Sequence, residues 1–142
     1  MIIGVGSDHG GFELKEFIKD YLQHISYHVS DFGTYSNESV DYPDIAKLLC
    51  KDLILNKIDC GILICGTGIG MSIAANRFKG IRATLTNDMF TAIMSKRHNN
   101  SNVLVMGGRV VGKDLAVKIV DCWLNEKFEG DRHIRRLNKI DA

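Results

Sequence analysis

Short apolar runs alternate along this chain with longer stretches in which apolar residues recur every three or four positions. Ile2–Gly6, His28–Phe32, Gly61–Cys65, Ile81–Leu85 and Val103–Met106 read as five strands. Between them, Phe12, Leu14, Phe17, Ile18, Tyr21 and Leu22 give Phe12–His24 a helical period, and Ile45, Leu48, Leu49 and Leu53 give one to Asp44–Asn56. The pattern predicts further helices from the glycine loop to about Phe78, over Asp88–Arg97, from about Lys113 to Asn125, and over Asp131–Ile140. Gly61–Cys65 is apolar almost throughout, as a strand covered on both sides of a sheet must be. Strand–helix alternation predicts an α/β fold, a three-layer α/β/α sandwich around a five-stranded parallel, Rossmann-like sheet.

In such a sheet, ligands bind at the carboxyl ends of the strands. That rule gathers Asp8 and His9 after the first strand, Cys65–Gly70 after the third and Arg109 after the fifth onto one edge. His98 and Asn99 lie in KRHNNSN, read here as a polar link before the fifth strand, and the rule does not fix their edge.

Composition narrows the classes. The chain has 142 residues, enough for one domain spanning 1–142 with a single sizeable core, and its net charge of +1 offers no global basic field for nucleic acid. No apolar stretch approaches the roughly 20 residues that span a bilayer. The opening MIIGVGSDHGG lacks the basic n-region of a signal peptide, and the four cysteines follow neither CxxC nor zinc-ribbon spacing. A cytoplasmic protein with reduced thiols is the expectation. Cys50, Cys60 and Cys122 read as packing residues, and His24 and His28 receive no role.

The candidate chemistry begins at CGTGIG. Strand, glycine turn and helix start together present unpaired N–H groups to an anion, although a tight turn alone would also need the glycines. The G-x-G-x-G spacing departs from the dinucleotide fingerprint, with Asp88 about twenty residues on as the possible ribose acid, and no Lys-Ser/Thr pair completes a Walker loop. Cys65 fits either a buried packing thiol or a thiolate base favoured by the helix start. Asp8 fits a helix cap or a ligand group, and His9 faces the cleft edge. Arg132, His133, Arg135 and Arg136 form a basic run on the last helix, either a solvated face or a guanidinium clamp for phosphate.

Taken together, GSDHGGFELK at 6–15, DYPDIA at 41–46, GILICGTGIGMSIAANRFKGIRA at 61–83, RHNNSNVLVMGGRVVG at 97–112 and EGDRHIRR at 129–136 closely resemble the ribose-5-phosphate isomerase B family. That family also includes galactose- and allose-6-phosphate isomerases. The resemblance implies a homodimer with active sites shared across its interface, and a metal-independent, cofactor-free aldose–ketose isomerisation of a sugar phosphate. It implies Cys65 as the base, His98 as the group assisting ring opening and Gly66, Thr67, Gly68, Ile69 and Gly70 as the anion hole. Asp8, His9, Asn99, Arg109, Arg132 and Arg136 fall on its ligand-binding positions, and Tyr42 lines the site. Met71 stands where another branch carries a glutamate base, which places the chain in the cysteine branch.

The chemistry then separates the two ends of the substrate. With the reacting carbons against Cys65, the phosphate of an extended pentose lies about 6 Å or more away, from C–C bonds of ~1.5 Å. The glycine loop is expected to hold the developing oxyanion, with Thr67 relaying a proton between oxygens, and the arginines with His9 to hold the phosphate. Six-carbon phosphates are the alternative substrates; a non-catalytic, flavodoxin-like nucleotide-binding module is the alternative of another class.

Overall fold

The computed structural model describes residues 1–142. In chain order the elements are β1 (Ile2–Ser7), α1 (Phe12–His24), β2 (His28–Asp31), α2 (Tyr42–Ile54), β3 (Cys60–Cys65), α3 (Ile69–Ala75), β4 (Ala83–Leu85), α4 (Met89–Asn99), β5 (Val103–Gly107), α5 (Lys113–Asn125) and α6 (Arg132–Asp141). The sheet runs β2-β1-β3-β5-β4 and every pairing is parallel. No helix is long and apolar enough to cross a membrane.

Right-handed crossovers decide the layers. The chain steps from β1 outward to β2, then turns back across the sheet to β3 and β4, then returns to β5. Each reversal moves the connecting helix to the other face. Side chains alternate accordingly: Ile3, Val5, Ile62, Ile64, Leu104 and Met106 pack against α1, α4 and α5. Leu63, Cys65, Val103 and Val105 face the opposite way, against α2 and α3. The strand order reverses between β1 and β3, and the loops leaving these two strands open a crevice there.

The expected elements are all present, and their ends shift for local reasons. The helix after the glycine loop stops at Ala75, short of Phe78, because Asn76 turns its side chain to β4. Its amide donates to Ala83 O at 2.9 Å and its carbonyl accepts from Ala83 N at 2.8 Å. α2 begins at Tyr42, ahead of Asp44, since Pro43 fits the first turn, where no N–H is needed. The larger correction concerns KRHNNSN. Lys96 to Asn99 complete the last turn of α4, and the chain turns only at Asn100, with φ 45°.

A charge lies inside the fold. Lys15 on α1 is fully buried. Its ammonium donates to both oxygens of Asp31 at 2.8 and 2.9 Å and to Thr34 O at 2.7 Å, so all three protons are used. Burial pushes the Asp31 carboxyl upward, but Lys15, the Gly33 N–H and Lys19 outweigh it and hold its pKa below the ordinary value. This knot fixes the start of the 32–41 loop against α1, and the far end of that loop reaches the site through Val40.

Asp31→Asn should cost about 3–5 kcal/mol in urea unfolding at neutral pH, because it strands the Lys15 ammonium in the interior. Lys15→Met should cost less, since Asp31 keeps Lys19. A carboxylate with a lowered folded pKa stabilises above its unfolded value, and that stability is lost as pH falls through the folded one. The Asn variant should therefore lose less stability on acidification than the wild type does.

Candidate active site

Three carboxyl-edge loops converge at the β1–β3 crevice. After β1, the Asp8 carboxylate accepts from the N–H groups of Gly10 at 2.9 Å and Gly11 at 3.2 Å, so Asp8 is a cap and is buried. Beside it, His9 Nδ1 accepts from Val40 N at 3.2 Å, which leaves the proton of the neutral ring on Nε2. A cleft of about 520 Å³ opens here, lined by Asp8, His9, Ser39, Val40, Tyr42 and Pro43 among others. After β5, Arg109 N donates to Gly66 O at 3.0 Å, and its guanidinium packs over Gly66 while remaining exposed.

The loop after β3 holds the thiol. Cys65 ends β3 on the α2–α3 face, 4% exposed, and alone among the four cysteines it receives an N–H: Gly68 N lies 3.2 Å from Sγ. Burial pushes the Cys50 thiol up to about 12 and the Cys60 thiol up to about 11, as inert packing groups should be. Gly68 takes φ 82°, a left-handed conformation that turns the loop under its own sulfur. The Thr67 side chain is exposed and accepts from Ile69 N at 3.3 Å. The Tyr42 ring lies so close over Gly70 that a Cβ there would come within 2.5 Å of it.

The remaining predicted residues are elsewhere. α4 leaves β4 at the carboxyl edge and returns, so its last turn reaches the amino edge. There Asn102 O accepts from Gly61 N, at the start of β3. His98 and Asn99 are thus separated from Cys65 by the length of β3, ~16 Å at 3.3 Å per residue. They also lie beyond the other face, since α4 packs on the α1–α5 side.

α6 joins His98 and Asn99 at this edge. Glu129 N donates to Arg97 O at 3.0 Å, and Arg97 pairs with Glu126 at 2.9 Å, docking the 126–130 segment on α4. Arg132 and Arg136 lie exposed, one turn apart, on the same helix, their charges near its His133. A second cleft of about 520 Å³, with Arg82, Asn99, Leu137 and Ile140 in its wall, opens on this side.

One residue here was read from the sequence only as part of the basic run on the last helix. His133 is 4% exposed, and its ring stacks on His98 with centroids 4.5 Å apart and planes inclined by 15°. Burial, then the charges of Arg132, His98 and Arg136, hold its pKa below the ordinary value against Glu129. Its spacing from the buried Leu137, four residues on, is the signal that could have marked it as inward-facing. Ligand atoms of His98, Glu129 and His133 lie within 4.8 Å of one another. Nearly parallel stacked rings nevertheless cannot both aim in-plane lone pairs at one ion, so this is an imidazole pair and not a metal cage.

Asp88, the acid that a dinucleotide site would require, instead caps α4 by accepting from Thr91 N at 2.7 Å. The fold and site define a doubly wound α/β protein with a thiol-bearing glycine loop at its switch point. Residues 3–140 match the ribose/galactose isomerase family. Ribose-5-phosphate isomerase B of Escherichia coli K12 is 47% identical over 140 residues, covering 99% of this chain and 94% of that protein. The Clostridium thermocellum ribose-5-phosphate isomerase B structure superposes with a TM-score of 0.98 at 52% identity, covering 99% of this chain and 95% of that one. The Mycoplasma genitalium enzyme, solved with bound ribulose-5-phosphate, gives a TM-score of 0.94 at 42% identity, covering 99% and 93%. The chain belongs to the ribose/galactose isomerase family.

Gly68→Ala should destabilise the protein by about 1–3 kcal/mol through the positive φ alone. The added Cβ would also approach the Met106 carbonyl carbon to 2.9 Å, so urea unfolding together with loss of activity is the expected pair of results.

Proposed function

We propose that residues 1–142 form one aldose–ketose isomerase domain that interconverts ribose 5-phosphate and ribulose 5-phosphate through an enediol(ate). The observation that carries this reading is the contact of Cys65 Sγ with Gly68 N at 3.2 Å inside the glycine loop. In this reading the Cys65 thiolate, beside that N–H, removes the C2 proton of the open-chain aldose. The same sulfur returns that proton to C1. N–H groups of the Thr67–Gly70 backbone stabilise the charge that develops on oxygen, and Thr67 relays the hydroxyl proton between O2 and O1.

The phosphate, about 6 Å from the reacting carbons by bond lengths of ~1.5 Å, falls outside the loop. His9 and Arg109 take it from one side. His98, Asn99, Arg132 and Arg136 act in the site as well, and one chain holds them at the wrong edge. A homodimer resolves this: each site takes its Cys65 loop from one subunit and His98, Asn99, Arg132 and Arg136 of the partner subunit. Exposed apolar residues support the pairing. Ile69 and Ile73 lie one turn apart on α3, with Phe90 and Val110 also at the carboxyl edge, and each is at least 54% exposed. Two α4 helices related by a two-fold axis perpendicular to them would run antiparallel, bringing His98 of the partner subunit to the edge where α4 begins. In this reading His98 moves the protons that open the furanose ring, and the enzyme works in the cytoplasm without a metal or cofactor.

Isomerisation assayed on five- and six-carbon aldose phosphates should give the highest kcat/KM with ribose 5-phosphate; a higher value with allose or galactose 6-phosphate would reassign the substrate. Cys65→Ala should abolish turnover while substrate still binds, and activity within a few-fold of wild type would sink the base assignment.

Two inactive variants, Cys65→Ala and His98→Asn, should complement when dissociated and reassociated together. Random pairing leaves about a quarter of all sites intact, so roughly that share of activity should return. No recovery from heterodimers verified by mass would refute the shared site.

A further inference from the structure

His133 lies against His98, and the reaction just described gives it no task. We propose that His133 is a positioning residue for His98: its buried, stacked imidazole fixes the plane of the His98 ring and keeps the pair's single proton on His98. The inference rests on the role of His98 in ring opening.

The geometry supports both halves. With the two rings stacked at 4.5 Å and 15°, His98 cannot turn about its Cβ–Cγ bond without losing the stack. Two imidazolium charges at that separation repel, as paired carboxylates do, so a first proton taken up by the pair excludes a second. Surroundings choose the holder. His133 is buried, and its Nε2 has no hydrogen-bond partner; the nearest acid, Glu129 Oε2, is 3.7 Å away. Around it stand Arg132 and Arg136 from α6 and His98 from α4, with Glu129 the one opposing charge. His98, half-buried at the last turn of α4, is the ring that solvent can reach. A helix C-terminus favours a cation there. His133 thus remains the neutral ring, and His98 is left as the acid–base group of the pair.

Three variants and one titration test this on the intact, substrate-free enzyme and in turnover. With ¹⁵N-labelled histidine, the two rings of the wild type should titrate in two separated steps, the lower belonging to His133. In His133→Phe, which retains a flat uncharged ring, the lower step should vanish and the His98 step persist. Turnover should stay within about threefold of wild type for His133→Phe, whereas His133→Ala should lose roughly 10- to 100-fold in kcat with little change in KM. The acid limb of its kcat profile should also move. A common midpoint for both rings, or a His133→Ala enzyme with wild-type kcat and pH profile, would overturn the proposal. So would a His133→Phe enzyme as impaired as a folded His133→Ala, for the ring nitrogen would then be the working group. Full activity in His98→Asn would instead remove the ring-opening role and leave the coupled titration standing.

Discussion

A parallel sheet has one carboxyl edge, and every helix that leaves it delivers its last turn to the opposite edge. Much else in this protein follows from that constraint. Loops after β1, β3 and β5 gather Asp8, His9, the Cys65 loop and Arg109, while the returning α4 carries His98 and Asn99 about a strand's length away. α6, docked on the end of α4 through Arg97 and Glu126, adds Arg132 and Arg136 to the second group. These two groups at two edges, with exposed apolar residues beside the first, are the observations on which the proposed pairing with a second copy rests.

Within the first group, the proposed base and the proposed oxyanion hole share one piece of backbone. Gly68 turns left-handed and aims its N–H at Cys65 Sγ. The Tyr42 ring closes over Gly70, and the Arg109 guanidinium over Gly66. In the proposed reaction, phosphate binding is left to side chains outside the loop, and a planar guanidinium matches its oxygens better than an ammonium would.

Burial treats the titratable groups unequally, and the difference tracks their use. Lys15 is buried but spends every proton on Asp31 and Thr34 O, so it holds the 32–41 loop and does no chemistry. Cys50 and Cys60 are buried without donors, and their thiols are pushed far above neutrality. Cys65 is as buried as Cys60 yet receives an N–H. The distinction is in the backbone around each sulfur, which no count of cysteines reveals.

The alternation of short apolar runs with helical periods determined the fold, because each pattern records which side of a local element is buried. Phe12–His24 was legible to the residue for that reason, and the helix read from about Lys113 to Asn125 spans Lys113–Asn125. The glycine loop and its thiol were legible too, since strand, turn and helix start are consecutive in the chain. Helix ends were less so: Asn76 stops α3 by reaching β4, and His98 belongs to α4, not to a link. The partner of Lys15, the stack of His133 on His98 and the edge on which His98 stands were decided only by the tertiary structure. Each joins residues on different elements, and periodicity carries information about a residue's own helix or strand but none about which neighbour that face will meet.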